Sequence, residues 1–323
     1  MALHLVTGGA GFIGSHLVRA LVARGDRARV LDDLSSGSQG SLEGLELGPC
    51  GSGAPVEWLE GDVADRVALA QACRGVEAVF HEAAMVSVPQ SLRQPERCYE
   101  VNVLGTLRLL EAARAAGARK LVFAASSAAY GDSETLPKTE DMTPRPQSPY
   151  ASGKVAGEHL LAVWERCYGL AGVSLRYFNV FGPGQRDDSP YTGVIALFAR
   201  ALLEGRPATI FGDGEQTRDF TYVDNIVSAN LAALERDLPP GAVVNVGAGS
   251  CISVNALYRT MAAILGVPIE PRYGPPREGD VRHSLASIER ARALLGYQPR
   301  VSWREGLEAT LAWYRDRAAR VER

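Results

Sequence analysis

Tyr150 and Lys154 stand four residues apart where the sequence predicts a helix to begin, so a phenol and an ammonium share one helix face. A free tyrosine ionises near pH ~10, so a phenol acting as a base near neutrality needs its pKa lowered by about three units, roughly 4 kcal/mol. A neighbouring cation supplies part of that. Ser126 and Ser127 close an apolar run beginning at Leu121. They thus fall at a strand's carboxyl end, the edge where ligands sit in open α/β sheets, and one hydroxyl there can share a substrate proton. The Tyr-x-x-x-Lys spacing alone fits a solvated helix start equally well. The surrounding elements decide between the two.

Upstream, Leu3 to Val6 is a short apolar run, Thr7 to Gly11 a glycine turn, and Ile13, Leu17 and Leu21 recur at helical spacing until Arg24-Gly25. Gly8 allows the tight turn, Gly11 lets backbone approach a pyrophosphate, and Gly14 lets helix and strand pack closely, with the helix N-terminus attracting phosphate charge. Arg29 to Leu31 reads as a second strand and ends at Asp32, 18 residues beyond Gly14. A carboxylate there hydrogen-bonds a ribose 2′-hydroxyl and repels a 2′-phosphate, so the pattern predicts NAD as cofactor in preference to NADP. A bound nicotinamide would add positive charge beside Tyr150. Asp33 is either a second contact or a turn carboxylate. Asp62, after the third strand, either meets the adenine edge or caps a helix.

Short apolar runs continue at Val56 to Leu59, Ala78 to Phe80, Lys120 to Ala125 and Val173 to Tyr177, mostly separated by alanine- and leucine-rich helical stretches. The expected fold is α/β, a doubly wound parallel Rossmann sheet with a smaller substrate lobe. Residues 1–177 form the dinucleotide-binding part, a strand at 243–246 returns to it, and 178–323 form mainly the lobe. The six glycines between Leu34 and Pro55 predict a flexible surface loop. Leu307, Leu311 and Tyr314 predict a closing amphipathic helix. At 323 residues and net charge −3 the composition is that of an ordinary globular chain, with no basic surplus for nucleic acid and no membrane-length apolar run. Five scattered cysteines without a C-x-x-C pair predict reduced thiols and a cytoplasmic location. Five dispersed histidines without metal-ligand spacing argue against a metal, although His81 and Glu82 are adjacent. Arg218 and Arg277, each near glycine turns, suit bidentate phosphate recognition.

The segments T-G-G-A-G-F-I-G, S-S-A-A-Y-G, Y-A-S-G-K, R-Y-F-N-V-F-G-P and R-D-F-T-Y-V-D together resemble the extended short-chain dehydrogenase/reductase family, in its NAD-dependent nucleotide-sugar epimerase branch. The similarity spans almost the whole chain. It implies Ser126, Tyr150 and Lys154 as the catalytic triad, Ser126 lying 24 residues before Tyr150 as the family pattern asks. It implies a cofactor site of Gly8, Gly11, Phe12, Ile13, Gly14, Asp32, Asp33, Asp62, Val63, Ala83 and Tyr177 besides Tyr150 and Lys154, with the stretch from His81 to Ala84 lining the nicotinamide side.

The same resemblance implies a UDP-sugar substrate. Arg218 and Arg277 would hold the diphosphate, Asp280 the uridine ribose, Asn179 a phosphate or sugar group, and Ser127 the hexose. Related dehydratases carry acidic residues after the serine, and related decarboxylases a Ser-Glu pair; Ser127-Ala128-Ala129 supplies no acid, which favours 4-epimerisation of UDP-hexoses. In that reaction Tyr150 takes the C4 hydroxyl proton while hydride passes to NAD and later returns to the other face of a transient 4-keto sugar. Ser284 would border the C2 substituent and, being small, admit N-acetyl sugars; it also fits a cap for a helix near Ala286. The rivals are UDP-glucuronate 4-epimerisation, with Arg186 as carboxylate clamp and the Asp187-Asp188 pair weighing against it, and a non-catalytic NAD-binding regulator, for which a degraded Tyr or Lys would be expected. Helices starting near Pro95 and Ser152 predict a homodimer.

Overall fold

The protein is described by a computed structural model covering residues 1–186, 193–276 and 281–321. Seven strands lie in the first half, most of them separated by helices: β1 (Leu3–Thr7), β2 (Arg27–Asp32), β3 (Leu47–Pro49), β4 (Val56–Glu60), β5 (Ala78–His81), β6 (Lys120–Ser126) and β7 (Ala171–Tyr177). An eighth strand, Ala242–Val246, comes back from the second half and pairs in parallel with β7. The spatial order is Ala242–Val246, β7, β6, β5, β1, β2, β4, β3, and every pairing is parallel. The central strands are buried on both faces, which is why they read as continuous apolar runs instead of alternating ones. The chain leaves β1 toward β2 on one side and reaches β5 on the other. That switch point opens a crevice above the carboxyl ends of β1 and β5.

The expected flexible loop is a correction. Residues 34–55 carry a short 3₁₀ turn (Gln39–Leu42) and β3, which extends the sheet beyond β4. Arg19 ties the segment down by donating to the carbonyls of Ser41 and Glu43, both at 2.8 Å. Leu42 is fully buried in the main core.

The helices are α1 (Phe12–Ala23), α2 (Arg66–Ala72), α3 (Val88–Arg93), α4 (Pro95–Tyr99), α5 (Thr106–Ala115) and α6 (Pro149–Tyr168), with a π-helical turn at Glu100–Gly105 joining α4 to α5. Ser148 starts α6 by accepting from the Ala151 N–H, Pro149 takes the first helical position, and Gly169 in the left-handed region ends it. Gly157 lets α6 lie against β6, since a Cβ there would stand 2.4 Å from the Phe123 ring. A second core gathers Phe181, Phe198, Phe220, Tyr222, Tyr258 and Met261 with the last helix, Trp303–Val321. That helix buries Leu307, Leu311 and Tyr314, as their spacing predicts. No helix among the described residues is long and apolar enough to cross a membrane.

Candidate active site

The candidate residues meet around the crevice because five elements end there. Gly8 follows β1 with φ +70°, and its N–H donates to the Leu31 carbonyl at 2.8 Å. A Cβ at Gly8 would lie 2.7 Å from the Ala83 nitrogen, and one at Gly14 only 2.1 Å from the Gly8 carbonyl oxygen. The turn, the end of β5 and α1 are therefore in backbone contact, and a larger residue at either position would push them apart. Gly11 is the N-cap of α1 and no side chain caps this helix start, so its first-turn N–H groups, those of Phe12 and Ile13 among them, suit a pyrophosphate. The Phe12 ring packs edge-on against His16, and Ile13 packs on the main core, so these two serve an anion through backbone only.

Asp32 ends β2 with 7% exposure, and its two oxygens accept from the N–H groups of Ala10 and Leu34, both at 2.9 Å. Burial nonetheless holds its pKa above the ordinary carboxylate value. Asp33 is exposed, and its Oδ1 accepts from the Ser35 N–H and hydroxyl, closing a local turn. Asp62 caps no helix: Asp65 does that for α2, while Asp62 closes a turn onto the Ala64 N–H and pairs with Arg97. Val63 is buried against the neighbourhood of Gly105. Ala83 donates its N–H to the Thr7 hydroxyl at 3.3 Å.

His81 is fully buried, with ring nitrogens 2.8 Å from the Thr7 hydroxyl and 2.9 Å from the Thr106 hydroxyl. Thr106 gives its own proton to the Asn102 carbonyl, so it accepts from His81 Nε2–H, and Nδ1 accepts from Thr7. Burial pushes the ring's pKa down to about 3, so it is a neutral strut between β1, β5 and α5 and does not itself line the crevice. Among the described residues no group of three or more His, Cys, Asp or Glu is placed to hold a metal ion.

Ser126 ends β6 and accepts from the Ala128 N–H at 3.2 Å, and its hydroxyl is placed to lower the pKa of the Tyr150 phenol. Ser127 is half-buried at the start of the following 3₁₀ turn. Lys154 is 3% exposed; its Nζ donates to the Ala124 carbonyl at 2.6 Å and lies 6.0 Å from the centre of the Tyr150 ring. Burial brings its pKa down to about 8. Burial raises the Tyr150 pKa above its ordinary value, and the Ser126 hydroxyl opposes the rise. Tyr177, at the end of β7, donates to Glu82 at 2.8 Å and accepts from the Asn230 amide at 2.7 Å.

The candidate sugar-side residues occupy a separate cluster. Asn179 has φ +29°, donates to the Asp219 carbonyl at 3.1 Å and accepts from the Thr221 N–H. Arg218 donates to the carbonyls of Thr217 and Arg282, and the Ser284 N–H donates to the Thr217 carbonyl at 3.1 Å. Ser284 is not a helix cap, since the next helix is Glu289–Leu295 with Ile288 before it. Arg186 is exposed and donates to the Ser36 carbonyl at 3.2 Å, on the loop beyond β2. Arg277 and Asp280, and the Asp187-Asp188 pair, lie outside the described residues.

Two groups escape a reading of the sequence. Asp219 is fully buried, accepts from the N–H groups of Ala248, Gly249 and Ala286, and so ties the segment of Arg218 to the return strand. Glu82 stands out in the sequence only as a neighbour of His81, not as a partner of Tyr177 or Lys154. Its place immediately after a strand that faces the glycine turn is the available signal.

A fully parallel Rossmann sheet with a glycine turn, an acid ending β2 and a Ser, Tyr and Lys set at the carboxyl edge defines a dinucleotide-binding protein of the extended short-chain dehydrogenase/reductase class. The chain belongs to the NAD dependent epimerase/dehydratase family, which matches residues 4–247. It is 42% identical over 317 residues to a UDP-glucose 4-epimerase of Mycolicibacterium smegmatis, covering 97% of this chain and 99% of that one. It is similar to the crystal structure of Thermotoga maritima UDP-glucose 4-epimerase with UDP-glucose, at TM-score 0.91 and 39% identity over 98% of this chain and 99% of that chain. It is also similar to the Thermus thermophilus UDP-glucose 4-epimerase complex with NAD, at TM-score 0.86 and 38% identity over 97% and 99% of the two chains.

Proposed function

We propose that the protein is a UDP-hexose 4-epimerase that interconverts UDP-glucose and UDP-galactose with a tightly held NAD. The observation that carries this is the meeting of Ser126, Tyr150 and Lys154 beside the Gly8 turn, in a chain whose relatives over nearly full length are UDP-glucose 4-epimerases. NAD, when bound, would supply a reversible hydride acceptor for C4. The backbone from Gly8 to Gly14 would hold its pyrophosphate, Asp32, Asp62 and Val63 its adenosine end, and Ala83, Tyr177 and Lys154 its nicotinamide side. Tyr150 takes the proton of the C4 hydroxyl, with Ser126 sharing it. Because burial holds the phenol above its ordinary range, ionisation of Tyr150 waits for positive charge to enter the site. Ser127, Asn179, Arg218 and Ser284 hold the UDP-sugar. Incubation with a panel of UDP-sugars and separation of the products tests this directly: equilibration of UDP-glucose with UDP-galactose is expected, and products formed only from UDP-glucuronate would replace the reading.

Epimerisation has no net redox change and gains nothing from cofactor exchange. Denaturing the protein purified without added cofactor is therefore expected to release NAD or NADH in about one equivalent per chain. Release of NADP, or steady NADH production with sugar, would contradict it.

Ser284 is the candidate neighbour of the sugar's C2 substituent, and its N–H is bonded to the Thr217 carbonyl beside Arg218. Both UDP-glucose/UDP-galactose and their N-acetyl counterparts are expected as substrates, and Ser284→Tyr should suppress the N-acetyl pair selectively, since added bulk rejects the larger sugar. Equal slowing of both pairs would remove Ser284 from the specificity argument.

The working form is a homodimer. Tyr99 and Leu104, on the helical run beginning at Pro95, are 40% and 43% exposed, and Val163 and Tyr168 of α6 are 49% and 52% exposed, an apolar set that a second copy would cover. Light scattering at micromolar protein should give twice the chain mass, and a monomer mass would count against the pairing. Five cysteines, all unbonded, fit a cytoplasmic location.

A further inference from the structure

Glu82 is the acidic side chain nearest in register to the lysine that the proposed chemistry uses. It follows β5 directly, and since His81 pairs with Phe123, the next position along β5 faces Ala124, the residue whose carbonyl holds Lys154 Nζ. On its other flank its backbone abuts the glycine turn, its carbonyl carbon 3.0 Å from where a Cβ on Gly8 would stand. One carboxylate oxygen accepts the Tyr177 hydroxyl proton at 2.8 Å, and Tyr177 is in turn anchored by Asn230. The carboxylate is thus held in place by groups of two further elements. Among the described residues no arginine takes part in that arrangement, in contrast to the buried Glu57 and Glu158, which are paired with arginines.

We propose that Glu82 is a positioning residue whose charge keeps the Lys154 side chain protonated in its buried site, and so sets the ionic state of the Tyr150–Lys154 pair. This rests on the reading of Tyr150 and Lys154 given above. The groups facing Glu82 and Lys154 are Cys98 from α4, Tyr150 and Glu158 from α6, the neutral His81 from β5 and Tyr177 from β7. Of the groups that oppose the loss of the Lys154 proton, Glu82 acts most strongly, ahead of Cys98 and Glu158. Burial pushes Glu82 up to about 7 against the pull of Tyr177 and Lys154, and Lys154 sits at about 8. Each charge opposes the neutralisation of the other, so carboxylate and ammonium favour one another: Glu82 takes a proton as the pH falls and Lys154 loses one as it rises. The same negative charge raises the Tyr150 pKa, so Glu82 favours the ammonium at the expense of the phenolate.

The chain contains only three lysines, Lys120, Lys138 and Lys154, so the test can be made on the intact protein without turnover. Protein labelled with ¹³C-lysine should show three Cε resonances, with that of Lys154 assigned by its loss in Lys154→Arg and titrating near 8. In Glu82→Gln that midpoint should fall by about one unit, a roughly tenfold loss of ammonium in the alkaline range, and the alkaline limb of kcat/KM should move with it. Glu82→Asp, which keeps the charge, should retain most of the wild-type midpoint. Tyr177→Phe removes the hydrogen bond that lowers the Glu82 pKa, and should shift the Lys154 midpoint in the same direction by less. It also serves as the second test if Glu82→Gln does not fold. A Lys154 midpoint unmoved in Glu82→Gln, or unmoved in Tyr177→Phe where that is the folded variant, overturns the proposal even if activity falls. The titration is read without substrate, so a failure of the UDP-sugar assignment would appear in the product panel and leave this result standing.

Discussion

Tyr150→Phe is expected to lower kcat by about 10²- to 10⁴-fold while leaving UDP-sugar affinity within a few-fold of the wild type. The substitution removes one oxygen, keeps the ring, and takes away the group assigned to accept the C4 hydroxyl proton. Ser126 remains, but a neutral serine hydroxyl is too weak a base to take that proton near neutrality. The half-buried ring should pack as before, so the unfolding midpoint should barely move. Measuring kcat, and substrate Kd by calorimetry, separates the outcomes. Near-normal turnover would mean that another group takes the proton, whereas loss of affinity equal to the loss of rate would mean that the phenol only binds the sugar.

The second large effect is on stability, and it concerns the helix that carries Tyr150 and Lys154. Glu158, one turn beyond Lys154, forms a two-point ion pair with Arg176 of β7, with Nε to Oε1 at 2.8 Å and Nη2 to Oε2 at 2.7 Å, both side chains 3% exposed. The guanidinium also stacks 4.7 Å from the centre of the Tyr130 ring. Glu158→Ala leaves that guanidinium buried without its counter-charge, and about 3–5 kcal/mol of folding free energy should be lost, readable from the midpoint of denaturant unfolding. A double variant with Glu158→Leu and Arg176→Met should recover much of the loss, because it removes both charges together. A single-variant loss below about 1 kcal/mol would show that water reaches the arginine.

Much of the fold could be read from the chain because its determinants are local or periodic. The apolar runs at β1, β2, β4, β5, β6 and β7 announce strands buried on both faces, and Gly8, Gly11 and Gly14 announce a turn in which backbone must approach backbone; the short gaps to a Cβ at Gly8 and Gly14 are the physical content of that motif. The edge strand β3 was not legible, since Leu47-Gly48-Pro49 has no apolar run of its own, and the bonds from the Gly51 and Gly53 N–H groups to the Glu57 carboxylate that hold the segment beside β4 leave no pattern in the sequence.

For the site, the sequence by itself determined which residues are present and at what spacing: a phenol and an ammonium one helical turn apart, a serine at a strand end, an acid ending β2. Only the tertiary structure decided what surrounds them. Lys154 turns to the Ala124 carbonyl, Asp33 Oδ1 bonds to Ser35, and His81 is locked neutral between Thr7 and Thr106. Glu82 meets Tyr177 across 95 positions of chain, and Asp219 gathers backbone donors from 248, 249 and 286. The pKa of a buried group depends on desolvation and on the charges and donors that packing brings within a few ångströms. Those neighbours come from strands and helices far apart in the chain, and no spacing rule along the sequence encodes them.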